Sequence, residues 1–201
     1  AAAPISILMI VFGADLLRLW IDADMGSNGG PVLAVLGVAI LVNAPAWVSV
    51  TVGQSLGRPA LVAASQVLHL ITLIVCGLIL VPPFGAFGAA LAWLAGNLIG
   101  IPVLVFLVNR YVLRFSTATM LRDSLLRPLV AAGFTLLLAY LIKPMVHGWL
   151  TLGLACAAVT IFYLALAYRA SLDVADKEIF KTFIANRYHA MLRSTPKVAK
   201  S

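Results

Sequence analysis

The sequence predicts an all-α, polytopic transmembrane helix bundle of about six membrane-crossing helices, followed by a basic amphipathic tail helix. Three observations predict it. Of the 201 residues, 63% are hydrophobic and only 10% are charged, with mean hydropathy +1.07. A soluble domain carries roughly 45–50% apolar and about 25% charged residues, and a water-soluble fold of this length has too little interior to hide so much apolar surface. The apolar residues fall in runs near the ~20 needed to cross a ~30 Å hydrocarbon layer, each closed by turn-forming residues. The basic residues sit between and after those runs, not among polar residues on one soluble face, so the net charge of +7 reads as membrane topology and not as a nucleic-acid surface.

Taken in order, the spans are 3–21, 31–54, 60–81, 86–108, 125–146 and 149–168. As helices, they satisfy their own backbone polar groups in lipid. Between the first two, Asp22 to Gly30 reads as a polar, glycine-containing loop. Gly57-Arg58-Pro59 joins a helix-stopping glycine to a helix-starting proline, and Pro82-Pro83-Phe84-Gly85 forms another tight turn. Residues 109–127 make the longest polar connection.

Lys and Arg distribution sets the orientation. Arg58, the four arginines of the 109–127 connection and the seven basic residues from Arg169 onward lie on one side; of the 14, only Arg18 and Lys143 lie on the other. The expectation is a multi-pass membrane protein with its C-terminus cytoplasmic. Residues 1–170 then form the membrane domain and 171–201 a cytoplasmic tail. In that tail Asp173 caps a helix in which Ile179, Phe180, Phe183, Ile184, Met191 and Leu192 recur at three- and four-residue spacing. Lys177, Lys181 and Arg187 suit it to the anionic inner leaflet. The chain begins at Ala1 inside an apolar segment, and the expectation is a longer protein with further segments upstream.

Several positions stand out. Gly88, Ala92, Gly96 and Gly100 recur every four residues in the fourth span, a small-residue seam for close helix packing, with Asn97 beside it. In the second span Asn43, Trp47, Thr51 and Gln54 share a face near Pro45, which frees a backbone carbonyl and bends a helix. Such a face either lines a water-filled cavity or glues helices together. Ser65, His69, Thr72 and Cys76 form a matching stripe in the third span, joined by Gln66; His69 is either a structural group or a proton relay. In the first span Asp15, Arg18 and Asp22 share a face, so Asp15 and Arg18 either neutralise each other or Arg18 serves as a headgroup contact or gate charge. Cys76 and Cys156 read as small core residues. No catalytic constellation, metal-ligand spacing or phosphate-binding glycine loop is present, so neither an enzyme nor a cofactor is expected.

The stretch 56–93 carries a resemblance. Its Gly57-Arg58-Pro59 turn, apolar helix and Pro83-Phe84-Gly85-Ala86-Phe87-Gly88-Ala89-Ala90-Leu91-Ala92-Trp93 element resemble the C-terminal region of the polysaccharide transporter family. That family includes O-antigen and exopolysaccharide flippases, in the superfamily that also holds multidrug exporters. The LLRLWID segment ending at Asp22 and the basic tail are also similar to family members. The resemblance implies two six-helix lobes around a central cavity, with extra C-terminal helices in longer members. This chain would supply four helices of the second lobe plus a terminal pair. It implies alternating access of the lobes, a polyprenyl-diphosphate-linked oligosaccharide as substrate, and membrane lipid and an N-terminal lobe as partners. It carries over Gly57, Pro59 and Gly85 as structural turns but no binding residue. A multidrug exporter, disfavoured by only seven acidic residues, a membrane-bound transferase and a non-transporting membrane subunit are the alternatives.

Overall fold

The computed structural model describes residues 2–113 and 117–170. Among these there are only helices: α1 (Ala2–Trp20), α2 (Ala23–Ser55), α3 (Pro59–Val108), α4 (Thr117–Ile142) and α5 (Trp149–Ala170). A π-turn over Asn109–Leu113 ends α3, and a 3-10 turn over Lys143–Met145 ends α4. The segments Ala2–Trp20, Ala23–Ser55, Pro59–Tyr111 and Trp149–Arg169 are long and apolar enough to cross a membrane, and Val130–Met145 is a shorter apolar segment. The tail helix expected after residue 170 lies outside the described residues.

α3 is two helices. Gly85 leaves helical geometry at φ 55, ψ −129, and the chain doubles back there. A Cβ on Gly88 would overlap the carbonyl oxygen of Leu80, and Cβ atoms on Gly96 and Gly100 would press on His69. Residues 59–84 and 86–108 therefore lie side by side and antiparallel, as a first and a second arm. At the other turn Gly57 is also left-handed, at φ 72, and Pro59 takes the first turn of the helix, where its missing N–H costs nothing.

The expected loop between the first two spans is mostly helix. Asp22 caps α2, its carboxylate accepting from the Met25 amide at 2.7 Å. The polar first turns are stitched by Ser27 Oγ donating to the Asp24 carbonyl and Asn28 Nδ2 donating to the Asp24 carboxylate. Here the glycines serve packing instead of turning. A Cβ on Gly30 would lie 2.6 Å from Ala14 Cβ, and one on Gly37 2.8 Å from the Ser6 carbonyl. α1 and α2 thus meet backbone to backbone. Likewise, part of the connection expected over 109–127 is helical, because α4 starts at Thr117.

Two cores result. Ile7, Val11 and Phe12 of α1 pack with Ala131 and Ala139 of α4 and with Leu152, Ala155, Val159 and Tyr163 of α5. Ala46 of α2 packs with Val62 of the first arm and Ile101, Leu104, Val105 and Val108 of the second. A Cβ on Gly53 would meet both Val62 and Val108, so the Gly57–Pro59 turn and the Arg110 end of α3 lie together. Arg18 lies at the opposite end of α2, against Gly26.

Candidate functional site: a polar cavity in the α3 hairpin

Between α2 and the two arms of α3 lies a cavity of about 290 Å³. α2 gives it Asn43, Ala46, Trp47 and Val50; the first arm gives Ser65, Gln66 and His69; the second gives Trp93, Asn97, Gly100, Ile101 and Leu104. Three of the polar stripes in the sequence converge here. Helical spacing of three and four brings Asn43 above Trp47 and Ser65 above His69, and the reversal at Gly85 swings Asn97 round to face them.

Depth follows from counting. His69 lies ten residues into its arm and Asn97 eleven residues before the end of its own, each about 15–17 Å from the Arg58–Arg110 end at ~1.5 Å per residue. The cavity is therefore midway along the apolar arms.

The hydroxyls satisfy themselves locally. Ser65 Oγ donates to the Val62 carbonyl at 2.7 Å, Thr51 to that of Trp47 and Thr72 to that of Leu68. Asn97 Nδ2 donates to the Trp93 carbonyl at 3.0 Å, leaving its Oδ1 to the cavity. Among the described residues Asn43, Gln66 and His69 make no hydrogen bond, so their polar atoms remain for water or a ligand. His69 meets the Trp93 ring edge-on, centroids 5.8 Å apart and planes at 83°. Its Nδ1 lies 3.4 Å from the Cβ position of both Gly96 and Gly100. The small-residue seam and the histidine are thus one device: the missing side chains make the notch that holds the imidazole.

Other sequence candidates lie elsewhere. Gln54 is exposed at the end of α2, below the cavity. Asp15 and Arg18 form no ion pair: Asp15 Oδ2 is buried without a hydrogen-bond partner, while Arg18 is exposed beside Gly26. Three-residue spacing put them on one face, and Gly26 of α2 packs against the Cα and Cβ of Arg18. Two buried groups carried no functional signal in the sequence. Ser49 Oγ and both amide atoms of Asn109 are buried and unpartnered, Asn109 at the start of the π-turn. Ser49 is buried on α2 with Ala46 and Gly53.

The site holds neutral hydrogen-bonding groups, two indoles and one imidazole, and no carboxylate. Among the described residues no group of three or more His, Cys, Asp or Glu comes together. Comparison with protein-family profiles, with curated proteins and with solved structures returns no match.

Proposed function

We propose that the chain forms part of the second lobe of a membrane transporter of the polysaccharide-flippase kind. In this reading α1, α2, the two arms of α3, α4 and α5 make six crossings of the bacterial inner membrane, with the basic tail cytoplasmic. The transporter carries a polyprenyl-diphosphate-linked oligosaccharide outward by alternating access, together with an N-terminal lobe. The observation that carries the reading is the polar cavity halfway along apolar helices. Groups that hydrogen-bond at that depth are costly unless they face water or substrate, and transporters place their sites near the midplane where repeats meet. Unpaired amides beside indole faces suit hydroxyl-rich rings. Pro45, next to Ala46 in the cavity wall, removes the hydrogen bond that would tie its helix at that level, a natural place to bend.

The placing of Arg58 and Arg110 at one end and Arg18 at the other agrees with a cytoplasmic Arg58–Arg110 end. The test is surface polysaccharide in cells that depend on the full protein. Asn43→Leu, Trp47→Ala and Asn97→Leu are expected to lower it at unchanged protein level, each by about tenfold if one contact of ~1.4 kcal/mol is lost. Unchanged polysaccharide on deletion of the gene, or a periplasmic reporter signal from a fusion after Arg110, refutes the assignment.

A further inference from the structure

The cavity has one wall residue that can change charge. We propose that His69 is a proton-operated switch for this cavity: neutral, it leaves the site uncharged; protonated, it makes the site take up anions. α2 faces the ring with Asn43 and Trp47 and the second arm with Trp93 and Asn97, none of which titrates. No charged residue occurs anywhere in 86–108, and on its own arm the nearest titratable groups are Arg58 at the start and Cys76 about two turns beyond. Among the described residues that line the cavity, a proton gained by His69 therefore meets no carboxylate that would cancel it.

The two arms place the ring. Gly100 would put a Cβ 2.8 Å from His69 Cβ and Gly96 one 3.2 Å from Cε1, so the ring sits in the notch that the two glycines leave. Trp93 stands at right angles to the imidazole, its ring centroid 5.8 Å away. His69 is only half-buried and makes no hydrogen bond in the described chain, so its second nitrogen stays open to a proton from the cavity. Imidazoles change charge between about pH 5 and 8, the interval across which an inner membrane holds its proton gradient. The consequence for transport rests on the reading above: the charged ring would hold the diphosphate of the substrate, and loss of the proton would let it go.

The test uses the full chain in phosphatidylcholine nanodiscs and reads Trp93 as the difference in emission between wild type and Trp93→Phe. Two quenchers are compared from pH 8 to 5 at constant ionic strength, iodide as an anion and acrylamide as a neutral probe. One unit charge acting over 5.8 Å enriches a monovalent anion about threefold even at the dielectric of water. The ratio of iodide to acrylamide quenching is therefore expected to rise about threefold on acidification, with a fall in Trp93 emission as the imidazolium quenches its neighbour. His69→Gln and His69→Phe should both flatten the two curves. A ratio that ignores pH, or that rises equally in both variants, overturns the switch. Because quenching does not depend on transport, a flat ratio with intact polysaccharide export removes the switch alone. A threefold rise in a protein whose deletion leaves polysaccharide unchanged keeps the switch and removes the transport reading.

Discussion

The hairpin of α3 depends on glycines that differ in what a methyl group would strike, and this gives a graded prediction. At Gly88 a Cβ would overlap the Leu80 carbonyl oxygen, lie 2.5 Å from its carbon and 3.0 Å from the Val81 amide nitrogen. All three are backbone atoms, so no rotamer change relieves the overlap, and the arms must part by about 1.5 Å to restore ordinary contact near 3.5 Å. Overpacking of this kind costs about 1–3 kcal/mol, and a gap of that size also forfeits about half of each contact well along the seam. The alanine returns at most ~1 kcal/mol in helix propensity. We expect Gly88→Ala to destabilise by about 2–3 kcal/mol. At Gly100 the clash is with His69 Cβ at 2.8 Å, and at Gly96 with the ring edge at 3.2 Å, so Gly100→Ala should cost less and Gly96→Ala least of the three. Gly77 has nothing within 4 Å, and Gly77→Ala should be neutral or stabilising. Helices survive unfolding in detergent, so helicity is the wrong readout. A thiol-reactive dye that follows exposure of the half-buried Cys76 and Cys156 during a thermal ramp reports separation of the helices. The refuting result is Gly88→Ala melting with Gly77→Ala, or the order of Gly88 and Gly96 reversed.

Three further outcomes follow from local geometry. Asp22→Ala removes the cap on the Met25 amide and should cost about 1 kcal/mol in the same melt, with Asp22→Asn nearly wild type; equal losses would mean that charge and not capping matters. Gly30→Val, whose Cβ would meet Ala14 Cβ at 2.6 Å, should separate α1 from α2 and lower the thiol melt, with Gly30→Ala lowering it less; a wild-type melt for Gly30→Val would refute the close approach. Asn109→Leu removes a buried amide with no partner at either atom and should be neutral or raise the melting temperature, since a group of like shape then replaces an unsatisfied one; a large loss of stability would reveal a partner.

Where backbone chemistry decides locally, the sequence is readable. Gly57 before Pro59 and Gly85 after two prolines both take positive φ because only glycine adopts it without strain, and the chain turns at each. The same residue type misleads at 22–30. Gly26, Gly29 and Gly30 read as loop, but each sits in a helix where α1 comes too close for a Cβ. A glycine that turns the chain and one that admits a neighbour look alike until the neighbour is placed. The stripes Asn43–Trp47 and Ser65–His69 were legible from spacing, whereas their meeting with Asn97 and Trp93 required the arms to fold back at Gly85. Gln54 continued the α2 stripe on paper and falls outside the cavity because the arms close on Val62 and Val108 at that level.

The two glycine seams also explain why the cavity lies where it does. Along α1 and α2 the missing side chains admit backbone and aliphatic side chains, among them those of Ala14, Leu17 and Leu33, and no ring. Along the second arm of α3, Gly88 admits the Leu80 backbone, but Gly96 and Gly100 admit an imidazole. A ring needs more width than a methyl group, so the hairpin is tightest at its turn and carries a polar side chain deeper in. α2 meets that level with Asn43 and Trp47 on either side of Pro45 and Ala46, which leaves space beside the ring instead of filling it. Substituting His69 by leucine would keep the volume and remove the polarity, whereas alanine at Gly96 would keep the polarity and move the ring. If the site recognises a ligand through the imidazole, only the first change abolishes the pH response while leaving the hairpin as stable as wild type in the thiol melt. A leucine variant that melts well below wild type would instead make His69 a packing residue, with the cavity incidental to it.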